Sequence, residues 1–576
     1  MDYKLNNHIV CGALFLGLFF LLLPLAAQGP QYFDGAEYAA AAISNSIVHQ
    51  PGYPWFMLIN HFLVKIFSDN PYHTIAIFSL ACHILAGYLI FLSYKFLKLS
   101  SVIAVLAGTS FIFFSDALKI APDTEVFGFH HLLISATFYL ALKFYYLPNN
   151  KWRAISLGLV YGIACAHHQT SILWAPFGLA LLFSKGLKTN LLALVLGATL
   201  GFSGNLLLFT VNDSWVYLAP DSIAELTHFL LRSDYGTFSL FSGQAATTFS
   251  TLPHFLFAVC TELPAFVLLL ISLVISLFVK RSALSIGLTM TFVLHLWFIA
   301  QFNFPSLHPI IIEFASRFNG LFGLFIILTA AIALTNINSA KIIRLTGLIS
   351  IIAIAYSLNA NISASNLGSD RIVAAELNAI LSELPANAIY ISNSDRIGMG
   401  LYYRENINPS LGTRIFLHIA LLNNPKTELA LKSRYPALTS IKNLQLENIL
   451  EFGIQNNIPI YVASDMTLPK TYWKHPIGVT WRVEKEGNSV AAMQIYKNLV
   501  KFCQRLPDEL FTLPKERKAS ALVLYDNFAM PFAIFAEKYP SSAAASLFKN
   551  IANGLIQQNA DLVGTNCKKA QALLTK

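Results

Sequence analysis

Apolar runs separated by short basic loops dominate the first 360 residues, and their spacing predicts a bundle of membrane-spanning helices. The runs lie near residues 8–27, 76–94, 101–115, 127–146, 154–166, 170–184, 190–211, 253–279, 284–300, 317–335 and 341–358, which makes eleven spans. A helix needs about 20 apolar residues to cross a hydrocarbon core of roughly 30 Å. Several runs are shorter, and the hairpin 154–184 is open to a re-entrant reading. The first run also has features of a signal peptide, with Lys4 ahead of it and Ala26-Ala27-Gln28 after it. Its apolar core exceeds a signal-peptide core and further spans follow, so we read it as an anchor.

Loop charge orients these spans. With the N-terminus cytoplasmic, the inner loops carry Lys95 and Lys98, then Lys143, Lys151 and Arg153, then Lys185 and Lys188, then Lys280 and Arg281, then Lys341 and Arg344. That is the pattern of basic loops kept inside. Everything after about residue 360 then falls on the outer side. There the pattern changes: residues 370–384 read as a helix, 388–392 and 458–463 as strands, 478–484 and 489–496 as an antiparallel pair, and 518–572 as two or three amphipathic helices. The expected organisation is a membrane domain over 1–360, an outer-face α/β domain over 361–500 and a helical region over 501–576.

Composition agrees. The 576 residues are 55% hydrophobic and 12% charged, about half the charge of an ordinary soluble domain. In a soluble protein the net charge of +9 would suggest nucleic acid. Here the cations sit in membrane loops, and no basic patch interleaved with aromatics argues for a nucleic-acid partner. Of the six cysteines, only Cys503 and Cys567 fall in the outer region, where a disulfide is permitted but not required.

Candidate chemistry concentrates in the first outer loop, residues 28–54, which lies in a stretch without Lys or Arg between Lys4 and Lys65. Asp34 and Glu37 precede an Ala-rich stretch, a spacing with two readings. One is a capping box heading an amphipathic helix along the membrane face. The other is a carboxylate held at the mouth of a membrane cavity. Many histidines, including His49, His130, His131, His167 and His168, map to the outer side. None has the i, i+4 spacing or cysteine partners of a zinc site, so no specific metal is expected, although the outer acidic groups leave room for a divalent cation. Asp395 and Arg396, after the first expected strand, carry no motif that assigns chemistry.

Taken in order, Asp34-Gly35-Ala36-Glu37, His49-Gln50-Pro51-Gly52-Tyr53-Pro54, Glu125-Val126-Phe127, His167-His168-Gln169-Thr170 and Arg232-Ser233-Asp234-Tyr235-Gly236-Thr237-Phe238 resemble the protein O-mannosyltransferase-related family of the GT-C glycosyltransferase superfamily. The resemblance covers about residues 30–320. The chain departs from the family pattern at Gly35-Ala36 and at Gln50, where a proline is usual, and neither change removes a carboxylate. What the resemblance implies is a polytopic α-helical enzyme that transfers a sugar, with inversion, from a polyprenyl-phosphate-linked donor to a hydroxyl of a protein, glycan or lipid acceptor on the non-cytoplasmic face. Asp34 would be the general base, with Glu37 and Glu125 as further candidate catalytic carboxylates orienting the base, the acceptor or an ion. His49, Tyr53, His168, Arg232, Tyr235 and Arg317 would bind substrate, the arginines facing the leaving phosphate. For Arg232 a salt bridge to Asp234 stands as the alternative, and for Arg317 snorkelling to the interface. A bacterial inner membrane with a periplasmic active face suits the short inner loops. The competing class is a transporter or flippase of lipid-linked glycans, which would place charges within the spans; here the spans are nearly free of charge.

Overall fold

The computed structural model describes residues 2–147, 150–180, 187–214, 216–234, 283–300, 317–335, 340–422, 425–485, 492–511, 513 and 518–574. In chain order the helices of the first part are α1 (Asp2–Leu22), α2 (Gly35–Ser44), α3 (Pro54–Ile66), α4 (Pro71–Phe96), α5 (Ser101–Ile112), α6 (Ser115–Ile120), α7 (Phe127–Tyr146), α8 (Lys151–His167), α9 (Ala175–Ala180), α10 (Leu187–Phe202), α11 (Ile223–Leu230), α12 (Ala283–Ala300), α13 (Asn319–Thr335) and α14 (Ala340–Asn361). The expected span 253–279 and the loop 301–316 lie outside the described residues. Two described helices, Pro71–Phe96 and Asn190–Phe209, are long and apolar enough by themselves to cross a membrane, and shorter apolar helices include Ser101–Ile112, Asn319–Thr335 and Arg344–Asn359.

The chain forms two compact units. One comprises residues 1–26, 48–211 and 219–366; the other comprises 27–47, 212–218 and 367–576. Residues 27–47, carrying Asp34 and Glu37, therefore pack with the C-terminal part of the chain.

Glycine governs the pairing of α8 with α10 in the first unit. Gly158 and Gly162 on α8 face the carbonyls of Leu194 and Ala198 on α10, while Gly197 and Gly201 on α10 face the carbonyls of Ile155 and Leu159. At all four positions an added Cβ would collide with backbone. The two four-residue glycine spacings interlock and bring the backbones together, a contact suited to lipid, where van der Waals packing drives helix association. α3 was not expected from hydropathy, because Pro51 and Pro54 read as breakers. Pro54 instead occupies the first helical position, where its missing N–H is no loss.

The second unit continues with α15 (Ile372–Glu383), β1 (Ile389–Ser392), α16 (Asp395–Ile407), β2 (Ile415–His418), α17 (Pro425–Arg434), α18 (Leu446–Gln455), β3 (Ile460–Val462), β4 (Tyr472–Pro476) and β5 (Trp481–Lys485). Its strand order is β2-β1-β3-β5-β4. β1 pairs in parallel with β2 and β3, and β5 runs antiparallel to β3 and β4. β1 is buried along its whole length, as parallel strands covered on both faces are.

The antiparallel pair differs from expectation. β5 pairs with the preceding β4, and residues 492–496 of the other expected strand begin the helix α19 (Ala492–Cys503), while 489–491 lie outside the described residues. Ile495, Tyr496, Leu499 and Val500 are its buried side, a helical spacing that outweighs the β-propensity of the individual residues. The helical tail follows as α20 (Lys518–Val523), a π-helical turn Leu524–Ala529, α21 (Met530–Lys538), α22 (Ala545–Ile556) and α23 (Ala560–Leu574). A disulfide joins Cys503 on α19 to Cys567 on α23.

Within this unit α2 is buried from Gly35 to Ala42 and packs against α16. An amphipathic helix with one face open to a membrane surface is thus not what forms. The alanines leave little side-chain bulk on any face, so the helix is enclosed all round.

Candidate functional site

In the first unit the His-Gln-Pro-Gly-Tyr-Pro segment makes a tight turn into α3. Gly52 has φ +91° and Tyr53 φ +46°, both in the left-handed region that favours glycine. A Cβ on Gly52 would lie 2.9 Å from both Leu208 and Phe229. The left-handed Tyr53 is a local strain of about 1–3 kcal/mol. The turn brings the Tyr53 hydroxyl to 3.3 Å from His49 Nε2 and its ring to 5.7 Å from that of His167 and 6.1 Å from that of His168. Before the turn, Gln50 Nε2 donates to Asp234 at 2.8 Å, and His228 stands 3.8 Å from the other Asp234 oxygen. The Gln50 amide thus reaches the segment after α11.

His168 ends α8 and is held by its neighbours. Its Nδ1 is 2.7 Å from the Thr170 hydroxyl, which is also 2.9 Å from His130 Nε2. The His130 and His168 rings stack at 4.8 Å, and Phe127 lies 5.6 Å away. His167 pairs with the Val126 carbonyl at 3.0 Å, and Gln169 donates to the Leu230 carbonyl. The segments around 49–53, 125–130, 167–170 and 228–234 therefore meet in one cluster.

Arg317 and Glu125 form its charged member. The guanidinium donates to the carboxylate at 2.8 Å, and both side chains are all but inaccessible, at 4% and 2% exposure. Arg317 also lies over the Phe127 ring, 5.9 Å from its centre. The arginine is half of a buried ion pair at the start of α13 rather than a cation reaching out to an interface. The loop presenting Glu125 is pinned to α4: Ser79 donates to the Glu125 carbonyl, Tyr72 donates to Asp123, and Thr124 donates to the Tyr72 carbonyl. Asn319, two residues beyond Arg317, donates to the buried Asp116 at 2.5 Å.

In the second unit Asp34 stands at the position just before α2. Its backbone is helical, with φ −75° and ψ −5°, and its carboxylate makes no capping hydrogen bond. A capping side chain ordinarily comes from an extended residue, so the capping reading of Asp34 does not hold. Its carbonyl accepts from the Glu37 and Tyr38 amides. Glu37 is buried at 3% exposure.

Of the residues singled out from sequence, His49, Tyr53, Glu125, His168, Arg232 and Arg317 belong to the first unit, and Asp34 and Glu37 to the second. Tyr235 lies outside the described residues. Arg232 adopts φ +51° just beyond α11. Phe127, His130, Thr170 and Phe318 complete the surroundings of His168; the sequence placed His130 on the outer side and Phe127 and Thr170 within motifs, without giving any of the four a role. Among the described residues no group of three His, Cys, Asp or Glu side chains is placed to hold a metal.

The fold, a polytopic helical membrane architecture with an α/β unit, is similar to that of a solved membrane protein. It aligns with ArnT from Cupriavidus metallidurans in the apo state, with TM-score 0.53 and 11% identity over 82% of this chain and 96% of ArnT. The same ArnT bound to undecaprenyl phosphate aligns with TM-score 0.52 and 12% identity, over 79% and 93% of the two chains. Residues 34–191 match the family model described as protein O-mannosyl-transferase TMEM260 N-terminal domain. The protein O-mannosyl-transferase TMEM260 of Mus musculus is 26% identical over 272 residues, which is 43% of this chain; the chain spans about 37% of the length of that relative. Residues 34–191 are thus similar to a protein O-mannosyl-transferase domain, and the fold of the chain is similar to that of ArnT.

Proposed function

We propose that the chain transfers a sugar from a polyprenyl-phosphate-linked donor to an acceptor hydroxyl, with inversion, and that Asp34 is the general base. The acceptor oxygen attacks the anomeric carbon as its proton passes to the Asp34 carboxylate. The bond from that carbon to the phosphate oxygen breaks in the same displacement, and polyprenyl phosphate leaves. A phosphate leaving group requires no enzyme acid; it requires cations or preorganised donors for the charge that develops. Arg317 and Arg232 take that part, with His49, Tyr53 and His168 shaping the sugar pocket and Glu125 holding Arg317.

The observation that carries this reading is Asp34 itself. It is the first residue of the matched family region, and its carboxylate is not engaged in capping the helix it heads. Further support comes from the buried Glu125–Arg317 pair, because a cation is retained in a low-dielectric setting only with a partner or a task. The undecaprenyl phosphate bound to ArnT is a polyprenyl phosphate, the chemical class of the leaving group proposed here. The eleven spans and the periplasmic side of a bacterial inner membrane belong to the same proposal. The Cys503–Cys567 disulfide is in keeping with such an oxidising compartment.

The test is transfer from a panel of radiolabelled polyprenyl-phosphate sugars by purified protein, with Asp34→Asn alongside. Transfer by wild type, lost in the variant with lipid binding intact, supports the assignment. A folded wild type that binds the lipids yet neither hydrolyses nor transfers any sugar sinks it and favours lipid-linked glycan transport.

A further inference from the structure

The second unit contains a buried polar network that the proposed transfer does not use. Arg396, in the first turn of α16, donates from Nε and Nη2 to the two oxygens of Glu376, each at 2.8 Å. Glu376 is wholly buried and Arg396 is 8% exposed. Asn527, in the π-helical turn of the tail, donates to Glu376 Oε1 at 2.7 Å, and its own carbonyl oxygen lies 3.2 Å from the hydroxyl of Ser464. Ser464 follows β3, as Arg396 follows β1, so the network spans the carboxyl ends of the two parallel strands β1 and β3. In the order β2-β1-β3 this is where the strand order reverses, the place at which open α/β sheets bind their ligands.

The chain supplies its own occupant. Tyr32, two residues before Asp34, lies with its ring 5.0 Å from the Arg396 guanidinium carbon. A cation over an aromatic face is an attractive contact that strengthens as water is excluded. Burial pushes the Tyr32 hydroxyl above its ordinary range, so the ring stays neutral beneath the cation. The same loop is tied down on both sides of Tyr32. Gln31 donates to the Asp370 carbonyl at 3.2 Å, Arg371 donates to Gln28 at 2.6 Å, and α2, which Asp34 heads, packs on α16, the helix that Arg396 begins.

We propose that Arg396 is a positioning residue for the transfer reaction: locked onto Glu376, its guanidinium holds Tyr32 and thereby fixes the backbone from which Asp34 is presented. The C-terminal unit then contributes directly to the reaction by holding the loop that carries the base. The inference rests on the assignment of Asp34 as base. It also accounts for the bidentate geometry, since a planar guanidinium fixed by both carboxylate oxygens cannot rotate away from the ring it covers.

Two variants of the full-length protein in detergent or nanodiscs test it. Tyr32→Ala removes the ring while leaving the ion pair. The double variant Arg396→Met with Glu376→Leu replaces the buried pair by apolar side chains of similar size, an exchange that folded proteins tolerate, and removes the cation. Each is measured for kcat and donor KM with the lipid-linked sugar identified in the panel above, and for hydrogen exchange of the amides of residues 29–38, with β1 and β3 as the internal reference. We expect kcat to fall about tenfold to a hundredfold, as misplacing a reacting group by about 1 Å does, with donor KM nearly unchanged and exchange faster in 29–38 alone. Wild-type kcat in both folded variants overturns the proposal, and so does unchanged exchange in 29–38. Full activity of Asp34→Asn would instead overturn the base assignment and the catalytic part of this inference. The exchange measurement would still decide whether Arg396 and Tyr32 hold the loop.

Discussion

At the scale of single residues, the Glu125–Arg317 pair and the Gly52–Tyr53 turn carry the sharpest expectations. Removing one partner of a buried pair leaves an uncompensated charge and costs about 3–5 kcal/mol. Glu125→Ala should therefore lower both thermal stability and transfer by far more than an exposed substitution would, and thermal unfolding in detergent checks this. Gly52→Ala meets Leu208 and Phe229 and must hold φ at +91°, so it should destabilise by about 1–3 kcal/mol and weaken substrate binding as Tyr53 shifts; a melting curve with a KM measurement reads both. The motif residues themselves were legible in the sequence. Their partners were less so, because Glu125 and Arg317 are 192 positions apart and no local pattern announces such a pairing. Asp34 shows the reverse case: its spacing to Glu37 suggested a cap, and only backbone dihedrals could decide against it.

Two elements make predictions of their own. The interlocked glycines of α8 and α10 leave no room for a side chain, so Gly158→Ile or Gly162→Ile should abolish the folded membrane unit, seen as loss of a monodisperse peak in size-exclusion chromatography. The glycine spacing was visible in the sequence, whereas the pairing of its two occurrences was not, because hydropathy ranks glycine by polarity and says nothing of backbone approach. In the second unit Glu383, at the end of α15, accepts from the Val479 and Thr480 amides and the Thr480 hydroxyl, and so anchors the turn between β4 and β5. Burial outweighs these hydrogen bonds and pushes its carboxyl up to about 7. The folded state then binds more protons than the unfolded state between the ordinary carboxylate range and pH 7. Stability should accordingly fall as pH rises from about 4.5 through 7 and level off above. Thermal unfolding across pH 5 to 8 measures the slope, and Glu383→Gln should flatten it.

For the molecule as a whole, the Cys503–Cys567 disulfide closes a separation of 64 residues and ties α19 to the last helix. Reduction, or Cys567→Ala, should lower the stability of the second unit by about 2–5 kcal/mol, measured as a shift of its melting transition with and without reductant. The sequence by itself determined the class: its apolar runs, scarce charge and short basic loops make a multispanning helical protein, because insertion into a bilayer is decided by local hydrophobicity summed over about 20 residues. It also carried the segment 34–191, which matches a protein O-mannosyl-transferase domain model. Only the tertiary structure decided that residues 27–47 fold with 367–576, that Tyr32 lies under Arg396, and that His49, Tyr53, Glu125, His168 and Arg317 share one unit while Asp34 and Glu37 lie in the other. Those facts depend on contacts between segments hundreds of residues apart, set by shape and buried hydrogen bonding, to which a local pattern of polar and apolar positions is blind.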